Sequence, residues 1–265
     1  MHYIWKEWKE SIRGKGFWFS LAIIVLVSIS LLVSSSTLSF EHGFFVLLIN
    51  LFDAFVYFIP ILCLFLGAFA IFQEKEQKTL IMLLTKRDSY PSFLLKKSLA
   101  IHTVLIGPIF IWFLVYLVPI KFIFELNFIS FSTFLITLVC LLLVFSQIGI
   151  FIGSISSSKM QIIGFTIAIW FYFFFLHDFI LLSLLSDVTY ENVKWFSSLY
   201  FLNPIQVARI FLESSLGVYS FEHMSKLLKS FMWIKPGLFL LINTSLFMMI
   251  SFGLAVIFHR KEEIE

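Results

Sequence analysis

The sequence predicts an all-α polytopic membrane protein with six transmembrane helices, an N-terminal interfacial helix, and amphipathic outer helices between the fifth and sixth spans. Three observations carry this. Of 265 residues, 60% are hydrophobic and mean hydropathy is +0.99, well above the roughly 45–50% apolar content of soluble domains. The apolar residues come in continuous runs of about 20, which cross a bilayer as helices, and not in the ten-residue alternating segments of a β-barrel. The charged residues, 13% of the chain, gather between those runs, most densely in residues 73–97. A charge at the bilayer centre costs at least ~2.5 kcal/mol, so that segment is expected in water or against another protein.

Residues 1–16 carry Lys6, Lys9, Arg13 and Lys15, with Ile4, Trp5, Trp8 and Ile12 recurring at helical spacing. One face is aromatic and apolar and the other basic, the pattern of a helix lying in the membrane interface, with Trp5, Trp8 and Arg13 as its candidate anchors. The next apolar run is longer than a signal-peptide core. An uncleaved first span is therefore expected over residues 17–38, with cleavage after Ser34-Ser35-Ser36 as the alternative. Residues 44–72 are apolar apart from Asn50 and Asp53. A short outer segment is expected to lead into a second span over 52–72, kinked at Pro60. Asp53 then sits near the outer headgroups, and an acid within a span is a functional candidate by default, here for translocation or gating.

Within residues 73–97, Glu74 and Lys78 stand four apart with the acid first, which supports a short helix. Its end is apolar: Leu80, Ile81, Met82, Leu83 and Leu84. Asp88 and Ser89 offer caps, and Pro91 suits the first turn of a helix entering the membrane. The third span is expected over 99–118, with Gly107-Pro108 able to bend it and His102 near its start as a packing residue. The fourth, over 131–152, carries Gln147, which can bridge helices and is the second candidate polar residue for translocation or gating. The fifth is expected over 162–182, with His177 and Asp178 near its far end.

Residues 186–236 are the longest non-spanning stretch. Asn203 caps and Pro204 opens a helix in which Ile205, Ala208, Ile210, Phe211 and Leu212 form an apolar face beside Arg209 and Glu213. A second helix is expected from Phe221 to about Trp233, capped by Ser220, and both are expected to lie on the outer leaflet. The sixth span follows over 238–258.

Six spans put both termini on one side, and that side holds thirteen of the 19 Lys and Arg residues against six opposite. Basic loops favour the cytoplasm, so the expectation is a multi-pass protein of the bacterial cytoplasmic membrane with both termini and residues 73–97 cytoplasmic. Several enzyme classes lack their motifs: there is no Gly-x-x-x-x-Gly-Lys-Ser/Thr phosphate cradle, no His-Glu-x-x-His and no Gly-x-Ser-x-Gly. Cys63 and Cys140 lie inside apolar runs without Cys-x-x-Cys or Cys/His spacing, and the six His residues do not cluster, so neither a disulfide framework nor a metal site is expected. No catalytic residue is assigned.

Two segments carry a family resemblance. Glu74-Lys75-Glu76-Gln77-Lys78-Thr79-Leu80-Ile81-Met82-Leu83-Leu84 is similar to the Glu-Arg-Glu-x-Gly-Thr-Leu-Glu-x-Leu-Leu loop after the second span of ABC-2 type permeases, with Lys96 or Lys97 as the later base and Lys78 in place of the usual Gly. Leu202-Asn203-Pro204-Ile205-Gln206-Val207-Ala208-Arg209 resembles the Asn/Ser-Pro-Leu-x-Ala-x-Arg segment of the subgroup that includes the nitrous oxide reductase maturation permease. The order of parts along essentially the whole chain also matches such a permease.

The resemblance implies a single transmembrane domain over residues 1–265. It implies pairing with a second permease copy, as homodimer or heterodimer, and with a separately encoded ABC ATPase that binds ATP and Mg, this chain binding no cofactor. The coupling interface it implies comprises Glu74, Glu76, Thr79, Leu80, Leu83 and Leu84. The expected function is then an exporter subunit in the lipid bilayer, with no nucleic-acid partner. A stand-alone membrane immunity or scaffolding protein without an ATPase is the alternative.

Overall fold

Six long helices form the body of the computed structural model, which describes residues 14–40, 43–77, 89–217 and 230–258 together with 5, 8–10 and 12. They are α1 (Lys15–Ser35), α2 (Gly43–Glu76), α3 (Tyr90–Ile123), α4 (Phe128–Ile155), a fifth span, and α9 (Pro236–Ile257). The fifth span starts as α5 (Lys159–Phe171), passes through a π-helical turn (Tyr172–Leu176) and continues as α6 (His177–Leu184). Two short helices follow, α7 (Val193–Tyr200) and α8 (Pro204–Ser215). All six spans are long and apolar enough to cross a bilayer, and among the described residues there is no strand.

The second span differs from expectation. It is one unbroken helix of 34 residues that contains Asn50, Asp53 and Pro60, where two pieces were expected. α3 likewise has 34 residues; it begins at Tyr90, where Pro91 was expected to open a helix, and carries Lys96 and Lys97 ahead of the apolar span. At ~1.5 Å per residue each is about 51 Å long, well beyond a ~30 Å hydrocarbon core. The polar residues therefore sit on helical extensions, where neighbouring helices supply their partners and no break is needed.

The core is built on α2 and α4, the two most deeply buried spans. A Cβ added at Gly67 would fall 2.5 Å from the Ser146 carbonyl oxygen, and one at Gly149 would fall 2.5 Å from that of Leu64. At Gly153 it would meet the Ala68 carbonyl oxygen. Gly149 and Gly153 are four apart, the spacing that lets membrane helices approach backbone to backbone. Where hydrophobicity cannot drive association, this close contact supplies the dispersion energy. α4 runs through the centre of the bundle, packed by α2 and α9 and more lightly by α3, α5 and α8. α1 joins α2 and reaches α3 through Ser28, whose hydroxyl accepts from Trp112 Nε1 (2.9 Å) while its carbonyl accepts from Tyr116 Oη (2.6 Å).

The outer segment also differs. α8 was expected to rest its apolar face on the outer leaflet, whereas Pro204, Ile205, Gln206, Val207, Ala208 and Leu212 are all buried, against α4 and α9. Its apolar face is satisfied by protein and not by lipid. The helix expected from Phe221 to Trp233 lies largely outside the described residues; Ser230 and Phe231 are helical and Trp233 is not. α7 was not anticipated.

Candidate functional site

The last residues of α2, just before the connection of residues 78–88, tie that helix to three others in turn. Glu74 accepts a hydrogen bond from Lys97 Nζ of α3 at 2.9 Å, with side-chain exposures of 5% and 2%. Lys75 donates to the carbonyls of Ser154 and Ser156, the latter at 3.3 Å. These carbonyls close α4, where a helix leaves acceptors unmet and its dipole favours a cation. Glu76 pairs with Lys159 Nζ, in the first turn of α5, at 2.7 Å. That pair is open to solvent, with exposures of 50% and 59%.

Three consecutive side chains leave a helix about 100° apart, so they reach neighbours on three sides. The charges of 74–76 thus form a collar joining α2, α3, α4 and α5 at one level. The two helices flanking residues 78–88 are the two locked by the buried pair.

At the opposite end, the π-helical turn and α8 share a second polar cluster. Asn203 Oδ1 caps α8 by accepting from Ile205 N (3.0 Å). Its Nδ2 donates to the Phe173 carbonyl of the π turn (2.8 Å) and lies 3.3 Å from His177 Nδ1. His177 Nε2 lies 3.1 Å from the Leu199 carbonyl, which can only accept, so Nε2 carries the proton and Nδ1 accepts from Asn203. Gln206 Nε2 holds both oxygens of Asp178 at 3.0 Å and its Oε1 accepts from Tyr200 Oη at 3.0 Å. Asn243 of α9 donates to the Phe201 carbonyl at 2.8 Å. The π turn shifts the backbone bonding of the fifth span, and Asn203 satisfies a carbonyl it presents.

The family model described as ABC-2 family transporter protein matches residues 1–262, nearly the full length. The chain belongs to the ABC-2 family transporter proteins. Among curated proteins, none matches the sequence. As an ABC-2 transporter protein, the chain is the permease, or membrane component, of an ABC transporter, a multi-pass membrane protein of a family in which the ATPase is generally a separate subunit.

The remaining candidate residues of this ABC-2 protein are placed as follows. Thr79, Leu80, Leu83 and Leu84 lie outside the described residues, as do Arg13 and Lys78, the helical partner expected for Glu74. Glu74 itself faces inward to Lys97, where exposure to water or a partner was expected, while Glu76 remains on the surface. Trp5 is 75% exposed, whereas the Trp8 ring lies where a Cβ on Gly107 of α3 would be. Trp8 thus packs on protein.

Asp53 of α2 pairs with Arg209 of α8 at 3.3 Å. Gln147 is buried in α4 with no hydrogen-bond partner for Nε2 among the described residues. Gly67 packs at Ser146, so Asp53 stands about 21 Å along α2 from the level of Gln147, and the two do not share a site. The collar residues Lys75 and Lys159 and the cluster residues Gln206 and Asn243 were missed by sequence reasoning. For Asn243 a signal exists, an amide inside an apolar run; for the others, only the partner helix reveals the role.

Proposed function

We propose that this permease is an exporter subunit, acting with a second permease copy and with a separate ABC ATPase that binds ATP and Mg, and that ATPase motion enters it through residues 73–97. The single observation that supports this route is the collar at 74–76. Mechanical coupling needs a stiff element in contact with both the soluble subunit and the membrane helices. The helices flanking the connection between α2 and α3 are joined by a buried ion pair, and the same stretch of α2 reaches α4 and α5. Leu80, Leu83 and Leu84 supply apolar anchors, the kind of residue that carries most of an interface's energy. Glu74 then acts behind the contact, as a positioning residue. The exposed apolar faces of α1 and of the fifth span offer area for a second copy as well as for lipid, and the Asn203-Pro204 segment favours the nitrous oxide reductase maturation subgroup.

The test separates docking from coupling. Leu83→Asp puts a charge into a contact that should be dry, which costs several kcal/mol of docking, whereas Lys86→Ala should cost little. Co-purification of the ABC ATPase from native membranes and transport-stimulated ATP hydrolysis are measured at matched expression. Leu83→Asp is expected to lose both, and Lys86→Ala to keep both. Wild-type retention of the ATPase and its stimulation by Leu83→Asp would reduce residues 78–88 to a connector and place the docking contact elsewhere on the permease.

A further inference from the structure

At the end of the bundle that carries α7 and α8, a cavity of about 320 Å³ lies between the fifth span and the segments that follow it. Asp178, Leu181 and Leu185 line it from α6 and the turn after it, Phe196 and Tyr200 from α7, and Phe231 from the residues just before α9. Positions 178, 181 and 185 form one stripe of the fifth span, and 196 and 200 one stripe of α7. The Phe231 ring stands 6.4 Å from that of Phe196 and 5.4 Å from that of Tyr200. Three aromatic rings thus make one continuous wall.

A single carboxylate faces this cavity. Gln206 Nε2 donates to both oxygens of Asp178 at 3.0 Å, and Gln206 is itself fixed by Tyr200 Oη. That donor is a neutral amide. His177 Nδ1 lies 3.5 Å from Asp178 Oδ1, but it accepts from Asn203 and has no proton to give. Among the described residues no cation reaches Asp178, whereas Asp53, another acid at this end of the bundle, is paired with Arg209. A carboxylate accepts about four hydrogen bonds, and Asp178 keeps a side-chain exposure of 47%. It is oriented from behind by the amide and open in front.

From this arrangement we infer that the cavity binds an organic ammonium, its N–H groups on Asp178 and its apolar body against Phe196, Tyr200 and Phe231. The faces of aromatic rings attract a cation, and their area covers the carbon skeleton that carries it. An anion would meet the Asp178 charge, and a neutral apolar molecule would strip water from that carboxylate and return no donor. The volume falls at the lower end of the roughly 300–1,000 Å³ typical of ligand pockets. A soluble amine and the amine of a lipid headgroup share this chemistry. The inference concerns occupancy of this cavity and does not depend on ATPase coupling.

The full chain in nanodiscs of phosphatidylglycerol, which carries no amine, is titrated with phenethylammonium and with its uncharged isostere 2-phenylethanol, and affinities are read by calorimetry. The alcohol is expected to bind about tenfold more weakly or worse, since a charge-assisted hydrogen bond is exchanged for a neutral one. Asp178→Asn should lose about tenfold for the ammonium by the same argument, and Phe196→Leu about threefold. Asp187→Asn removes an equal charge from the turn after α6 without touching the cavity, and should bind as the natural chain does. Doping the discs with phosphatidylethanolamine, against the same fraction of a neutral galactolipid, assigns the source. A raised Kd places the lipid amine on Asp178, and an unchanged one leaves the cavity to soluble amines. Equal affinity for ammonium and alcohol, no binding of either, no loss in a monodisperse Asp178→Asn protein, or an equal loss in Asp187→Asn would each overturn the inference. Should Asp178→Asn fail to fold, the comparison of ammonium with alcohol on the natural chain still decides.

Discussion

Glu74 and Glu76 are two positions apart, yet one is sealed against Lys97 and the other shares solvent with Lys159, so substituting them should have unequal effects. Breaking a buried pair leaves a charge without its opposite, at about 3–5 kcal/mol, whereas an exposed pair contributes about 0–1 kcal/mol. Glu74→Gln is expected to lower the thermal unfolding midpoint of the detergent-purified protein clearly and Glu76→Gln scarcely at all; equal shifts would show that burial does not govern the Glu74 contact. A second expectation falls on Asn203. Asn203→Ala removes a helix cap and leaves the Phe173 carbonyl unmet, losing at least ~2 kcal/mol, while Asn203→Asp keeps the capping oxygen but cannot donate, and should restore only part. The same thermal measurement orders the three proteins, and full recovery by Asn203→Asp would remove the π-turn contact from the account. Sequence periodicity paired Glu74 with Lys78 because it sees neighbours four apart. The Lys97 partner lies 23 positions away, beyond any local rule. The cap at Asn203, by contrast, was legible, since Asn before Pro at a helix start states its own geometry.

Among the helices, the contact of α2 with α4 should be the least tolerant of added bulk. Gly149→Val and Gly153→Val place side chains against the carbonyls of Leu64 and Ala68, and overpacking of this kind costs about 1–3 kcal/mol or more. Gly164 has nothing within 4 Å of an added Cβ, so Gly164→Ala is expected to be neutral or slightly stabilising. Size-exclusion profiles after a heat step would show this ranking, and equal tolerance at Gly149 and Gly164 would mean that the two helices part readily. All six spans were legible because apolar runs of bilayer length have few other solutions. Their ends were not: α2 and α3 each exceed the hydrophobic run, and the polar residues beyond it continue the spanning helices and find interhelical partners. The π turn had no warning in Tyr172-Phe173-Phe174-Phe175-Leu176, since its stabilising donor comes from Asn203 in another element. The burial of α8 was missed for the same reason, as an amphipathic pattern says that one face is covered but not by what.

For the molecule as a whole, packing fixes which ends lie together but carries no reference to the two sides of a membrane. Six alternating spans put the start of α1, the end of α2, the start of α3, the turn of residues 156–158 and the end of α9 at one end of the bundle, and only charge can say which compartment that end faces. The sequence segments that six spans assign to that side carry thirteen of the 19 basic residues, and Lys and Arg in short loops retard translocation. The proposed docking of an ABC ATPase requires the same orientation, since ATP is cytoplasmic. Charge and the proposed docking call for the same topology, which single cysteines can test. Ser89 and Glu191 are both exposed and stand at opposite ends of the bundle, whereas Ser197 is buried, with its hydroxyl donated to the Phe231 carbonyl, and would report burial in place of sidedness. With Cys63 and Cys140 replaced by Ala, a membrane-impermeant thiol reagent added to intact cells should label Glu191→Cys and spare Ser89→Cys, and permeabilisation should expose both. The opposite pattern would invert the molecule, place the collar at Glu74 outside the cell, and remove any route by which an ATP-driven subunit could reach it.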